Sequence, residues 1–160
     1  MGHEHEAGPA WAAWVEHSWL GEALRSSLWL YPAVETLHIM GFAVLVGAIV
    51  AFDARVVARP ATLQLIPWQQ AVLPVARTGF FLAVPMGLLL FTAEAGSYAR
   101  NPAFQLKLVL LAIALADIAL FHALARRSGG HVTPGLRVTA AVSLVLWLAV
   151  LACGRLIAYV

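Results

Sequence analysis

Four apolar stretches run along the chain, at about 30–52, 71–94, 104–125 and 136–157, each interrupted by only a few ionisable residues. Each is as long as the roughly 20 residues that cross the hydrocarbon core of a bilayer. The pattern therefore predicts four membrane-spanning helices. Ahead of them, Trp11, Trp14, Val15, Trp19, Leu20 and Leu24 recur at helical spacing, with Glu16, His17 and Glu22 on the polar side. This predicts an amphipathic helix over 10–27, lying where Trp is favoured in the membrane interface. It serves as an anchor, or as a lid that turns His17 inward. Residues 1–9 are polar with Gly and Pro and read as a disordered tail, and residues 28–160 form the membrane domain.

The connections are short and rich in turn residues: Pro60 and Pro67, then Ser97 to Pro102, then Ser128, Gly129, Gly130 and Pro134. Short connections make consecutive helices antiparallel neighbours. The expected fold is all-α, an integral membrane up-down four-helix bundle preceded by a short interfacial amphipathic helix. Ala and Gly in every span permit close helix contact, and Pro85 is expected to kink the second span.

Composition agrees. Of 160 residues, 62% are hydrophobic and 11% charged, against about 45–50% and 25% in soluble domains. The net charge is only +2 and there is no Lys/Arg-rich run, which argues against nucleic acid as a partner. A lone Cys153 excludes an intrachain disulfide. No basic start followed by an apolar run marks a cleavable signal peptide, so the first span is expected to direct insertion. Connections one and three, with their flanks, carry Arg55, Arg59, Arg77, Arg126, Arg127 and Arg137, and the other side carries Arg25, Arg100, Lys107 and Arg155. That bias places both termini outside the cytoplasm.

Charge inside a bilayer is costly, so intramembrane ionisable residues are functional candidates. They are Glu35, His38, Glu94, Lys107, Asp117 and His122, with Asp53 and Arg55 at the inner end of the first span. Glu35 and His38 stand at i and i+3 and share a helix face. A carboxylate and an imidazole so placed can converge on one metal, or the carboxylate can orient the imidazole. Glu94 and His17 are the further metal-ligand candidates. By depth, Glu35, His38, Glu94, Lys107 and Arg155 are expected in one polar cluster at the outer face. At about 1.5 Å per residue, His38 lies roughly 10 Å in and His122 roughly 27 Å down the third helix. Axial haem ligands are only about 4 Å apart, as two bonds near 2 Å imply, so these histidines belong to separate sites. His131 joins His122 in the inner set. Asp117 has no partner in its own helix and reads as a cross-bundle hydrogen bond or a proton relay. His3 and His5 form a weak divalent-metal tail.

The stretches Trp29-Leu30-Tyr31-Pro32, Glu35-Thr36-Leu37-His38, Asp53-Ala54-Arg55, Asn101 to Lys107 and Phe121-His122 resemble an uncharacterised bacterial family of small four-helix membrane proteins, a domain of unknown function. Asn101 to Lys107 and the bundle size are more distantly similar to the membrane domain of copper-resistance D-type proteins. The first likeness implies the fold, and the second implies copper handling.

These readings lead to an outer-face site for copper, or for iron as haem b, used in metal handling or electron transfer. His38 and His122 are the cofactor candidates, and a redox or metal-donor partner is implied. The alternative is an ion- or proton-coupled carrier or channel formed by a homo-oligomer, with Glu35, Asp117 and His122 as its relay. A structural subunit without cofactor is the third reading.

Overall fold

The computed structural model describes residues 9–58 and 64–159, so the tail at 1–8 and the residues at 59–63 lie outside the described residues. Among the described residues the fold is all helical: α1 (Ala10–Glu16), α2 (Trp19–Ser26), α3 (Leu30–Ala58), α4 (Leu65–Ala93), α5 (Ala95–Arg100), α6 (Pro102–Arg127) and α7 (Pro134–Leu156). The chain is a multi-pass membrane protein, with α3, α4, α6 and α7 long and apolar enough to span. Their outward faces carry Ile39, Phe81, Leu88, Val109, Val145 and Leu148, all exposed and suited to lipid.

The spans run further than hydropathy alone suggests. α3 passes Phe52 to Ala58, and α4 begins at Leu65 rather than near 71. Arg55 does not stop α3, because its guanidinium packs 5.4 Å from the Trp68 ring centroid, a contact that holds a cation in the interface. α6 and α7 start on Asn101 and Thr133, whose side chains accept hydrogen bonds from the Phe104 and Leu136 N–H groups, with Pro next in each case. α4 holds Pro74 as well as Pro85.

The expected single amphipathic helix is two short ones, with His17 and Ser18 at the break. The Ser18 side chain caps α2 by accepting from Gly21 N–H at 3.3 Å. The break has a steric reason: a Cβ on Gly21 would stand 2.6 Å from the Thr92 carbonyl oxygen. Only glycine lets α2 lie this close to the end of α4. Arg25 then donates to the Ala93 carbonyl at 2.9 Å and to the Glu16 carbonyl, and Glu16 accepts from Gly96 N–H at 2.7 Å. The hairpin thus binds the open ends of α4 and α5. Trp14, Trp19 and Trp29 remain exposed as an interfacial belt.

Three buried layers hold the bundle. Leu24, Val34, Leu90 and Ala93 lie at the hairpin end, Leu45, Val46, Ala114 and Trp147 in the middle, and Val56, Leu65, Phe121, Leu136 and Ala140 at the end of the Ser128–Thr133 loop. α3 and α4 form the most extensive interface, seated on glycine: a Cβ on Gly41 would lie 2.6 Å from Ala83 N. α7 packs on both α3 and α6, whereas the α4 and α6 backbones do not meet. The second and third spans therefore meet only through side chains such as Phe91 on Phe104, with ring centroids 5.7 Å apart, and the bundle is parted along the rest of that side.

Candidate functional site

The parting between α4 and α6 holds a cavity of about 330 Å³, floored by α3 and α7. Helical periodicity builds it. Leu45, Ile49, Phe52 and Asp53 come from one stripe of α3; Gln69, Leu73, Ala76, Arg77 and Phe80 from one stripe of α4; Asp117, Ile118, Phe121 and His122 from α6; and Ser143 from α7. The walls are overwhelmingly apolar, and the few polar groups are Asp53, Gln69, Arg77, Asp117, His122 and Ser143.

Asp53 is 4% exposed. Ser143 Oγ faces its carboxyl, and Asp117 is close enough to repel it when both are charged. The Oδ2 atoms of Asp53 and Asp117 are both buried and make no hydrogen bond. A buried unsatisfied polar group costs roughly 1–3 kcal/mol, more when charged. His122 turns Nδ1 to the Ile118 carbonyl oxygen at 2.8 Å and lines the cavity with its ring. Oδ2 of Asp117 makes no cross-bundle hydrogen bond of the kind expected, and the cross-bundle neighbour of Asp117 is a second carboxyl, Asp53. His131 stays exposed in the loop, away from these groups.

The expected outer-face cluster divides in two. His38 packs against α4, its Nδ1 2.8 Å from the Ala83 carbonyl oxygen, and its ring stacks on Phe42 at 6.2 Å between centroids. Lys107 reaches the same ring, its Nζ 5.6 Å from the Phe42 centroid, and lies beside Cys153. Glu35 links the two parts: its charge reaches His38 and also, with that of Glu94, Tyr98, both carboxylates being exposed. Burial, the neighbouring Tyr31 hydroxyl and then these two carboxylates hold the Tyr98 phenol above its ordinary pKa. Arg155 bonds the Tyr159 hydroxyl at 2.6 Å and belongs to neither group. His17 is exposed at the C-cap of α1 rather than turned inward as under a lid. Among the described residues, no three His, Cys, Asp or Glu side chains converge as a metal-holding group, so Glu35, His38, Glu94 and His17 do not assemble into the expected ligand set.

Sequence reading missed Ser143 and Gln69. Gln69 fell outside the expected second span, yet it continues the Leu73, Ala76 and Phe80 stripe by one turn, and that periodicity is the signal that finds it. No family model, curated protein or solved structure matches the chain, so its function is argued from its own residues.

Proposed function

We propose that this protein is a membrane carrier in which Asp53 and Asp117 take up and release a proton or one monovalent cation within the α4–α6 cavity. One observation carries the reading: two neighbouring carboxyls, each with a buried oxygen that has no hydrogen-bond partner, face one cavity at membrane depth. Structural carboxyls in lipid are normally paired, whereas relay and ion-binding carboxyls must be able to change partner. Two carboxyls, Asp53 and Asp117, outnumber Arg77, the one Lys or Arg of the lining, and one proton or one monovalent cation offsets the difference. The relay differs from Glu35–Asp117–His122 in that Asp53 takes the place of Glu35. The Lys/Arg bias supports an orientation with both termini outside the cytoplasm, and the resemblance to a bacterial family supports a bacterial inner-membrane location. The exposed stripe of Ala112, Ala116 and Ala119 supports an oligomer.

The test is proton flux in liposomes reconstituted with the pure protein and loaded with a pH-sensitive dye. Wild type dissipates an imposed gradient, and Asp53→Asn or Asp117→Asn lowers the rate at least tenfold. Equal flux in wild type and both variants rejects the reading.

A second reading is favoured by a separate observation. His38 and His122 each bind a backbone carbonyl through Nδ1, which leaves Nε2 as the remaining ring nitrogen, and metal-bound histidines are commonly oriented in this way. It makes the chain a binder of copper or haem b, with a redox or metal-donor partner. An absorption spectrum with elemental analysis of untagged protein tests it. Stoichiometric iron with a Soret band, or stoichiometric copper, lost in His38→Ala or His122→Ala, supports it. A colourless, metal-free protein that takes up neither on titration rejects it.

A further inference from the structure

We infer that the cavity between α4 and α6 binds a lipophilic monovalent organic cation that enters sideways from the bilayer, an inference that rests on the carrier reading above. Three observations carry it.

The first is access. The α4 and α6 backbones make no contact along the parted side, while α3 and α7 close the opposite wall. Leu115 and Phe81 line the cavity and are also exposed on the membrane face, at 45% and 71%. The opening is thus continuous with the lipid-facing surface. A hydrated inorganic ion has no favourable route through acyl chains, whereas a cation that carries its own apolar surface does.

The second is the lining. At about 330 Å³ the space is at the small end of the roughly 300–1,000 Å³ range for small-molecule sites, which combine an apolar wall with a few placed polar groups. Phe80, Phe81 and Phe121 offer aromatic surface, and cations are attracted to ring faces as well as to carboxylates. A bare metal ion would leave these walls unused, and Asp53, Asp117 and His122 do not converge as metal ligands.

The third is charge. Asp53 is 4% exposed and presents a carboxyl oxygen without a partner. Ser143 from α7 and Asp117 from α6 act on it directly, and Arg77 from α4, itself exposed, and His122 from α6 line the same cavity. No ionisable side chain of α7 lines the cavity. The excess of carboxyls over Arg77 in the lining selects a monovalent cation over a neutral or anionic amphiphile. Acidification protonates the carboxyls, and the loss of their charge expels a cation. The site therefore binds cation or proton in exchange, which is what coupled transport requires.

The test is equilibrium binding of radiolabelled tetraphenylphosphonium to the full chain in nanodiscs, with neutral triphenylphosphine as competitor. Saturable binding of about one cation per chain is expected, weakening about tenfold per pH unit once the carboxyls are protonated. Asp53→Asn and Asp117→Asn, close isosteres, lower the affinity at least tenfold and flatten the pH dependence. Leu115→Trp, which fills the opening and leaves both carboxyls in place, abolishes cation binding. If tetraphenylphosphonium does not bind and proton flux still depends on Asp53, the inference is wrong and the carrier reading stands. If triphenylphosphine competes equally and the Asp variants bind as wild type does, the cavity is an uncharged lipid slot and the inference is again overturned. Loss of flux dependence on both aspartates removes the carrier reading itself.

Discussion

The His38 ring occupies the space that a Gly87 side chain would fill: a Cβ at Gly87 would stand 2.8 Å from His38 Cε1 and 3.0 Å from Nδ1. Glycine at this point of α4 lets the imidazole lie between α3 and α4 and reach the Ala83 carbonyl. Gly87→Ala should therefore displace His38 and cost about 1–3 kcal/mol, the usual range for overpacking. Thermal unfolding in detergent checks this. His38→Ala combined with Gly87→Ala should recover most of the loss, because the two changes share one space. Strictly additive losses would show that the ring does not occupy that space.

Gly41 and Gly47 lie on the same helix and make opposite predictions. A Cβ at Gly41 would meet Ala83 N at 2.6 Å, whereas nothing lies within 4 Å of one at Gly47. Gly41→Ala should separate α3 from α4 and destabilise the protein by about 1–3 kcal/mol. Gly47→Ala should be neutral or stabilise by up to about 1 kcal/mol, through reduced freedom of the unfolded chain. Melting temperatures of the two variants decide, and equal effects would contradict the α3–α4 contact.

The hairpin α1–α2 is held by Glu16 on the Gly96 N–H and by Arg25 on the Ala93 carbonyl. Glu16 is half-buried, so its hydrogen bond is screened and contributes on the order of 1 kcal/mol. Glu16→Ala should raise the exchange rate of the Gly96 amide about fivefold, leaving amides in the middle of α3 unchanged. Unchanged exchange at Gly96 would assign the docking to apolar contacts such as Trp11 on Phe91, whose centroids are 6.2 Å apart.

Tyr98 should be the last tyrosine to ionise. Burial disfavours its phenolate first, then the Tyr31 hydroxyl and the charges of Glu94 and Glu35. Its pKa in the folded protein is raised above the unfolded value near 10. The stability this contributes is full below that value and is lost as pH rises through the folded one. An alkaline titration followed by tyrosinate absorbance should lose its highest-pH phase in Tyr98→Phe. Glu94→Gln should move that phase to lower pH.

The four spans were legible because hydropathy is summed over some twenty residues and tolerates errors at single positions. Their ends were not, because they are set by tertiary contacts. Arg55 and Asp53 look like a loop, but Arg55 continues α3 by packing on Trp68, and Asp53 is carried into the interior. Which face of α3 is buried was also hidden, since the helix is apolar all round and has no polar stripe to orient it. Glu35 and His38 share a helix face, yet Glu35 stays exposed while His38 turns onto the Ala83 carbonyl of α4. Asp117 stood out as a charge in mid-span, whereas its neighbour Asp53 required knowing that α6 and α3 face one cavity.

The arrangement of Asp53 and Asp117 also predicts a conflict between stability and function. Each carboxyl keeps a buried oxygen unsatisfied, and each repels the other when both are ionised. A site kept for binding tolerates such strain, and its removal stabilises the fold while ending activity. Asp53→Asn and Asp117→Asn should each raise thermal stability in detergent by on the order of 1 kcal/mol, because each abolishes the same repulsion. The double variant should gain less than the sum of the two, since the repulsion can be removed only once. That non-additivity distinguishes an interacting pair from two independent polar defects, whose effects would add. Ser143→Ala removes the hydroxyl that faces Asp53 and should destabilise the wild-type protein. In the Asp53→Asn background the same change should cost less, because the charge that the hydroxyl supports is no longer present.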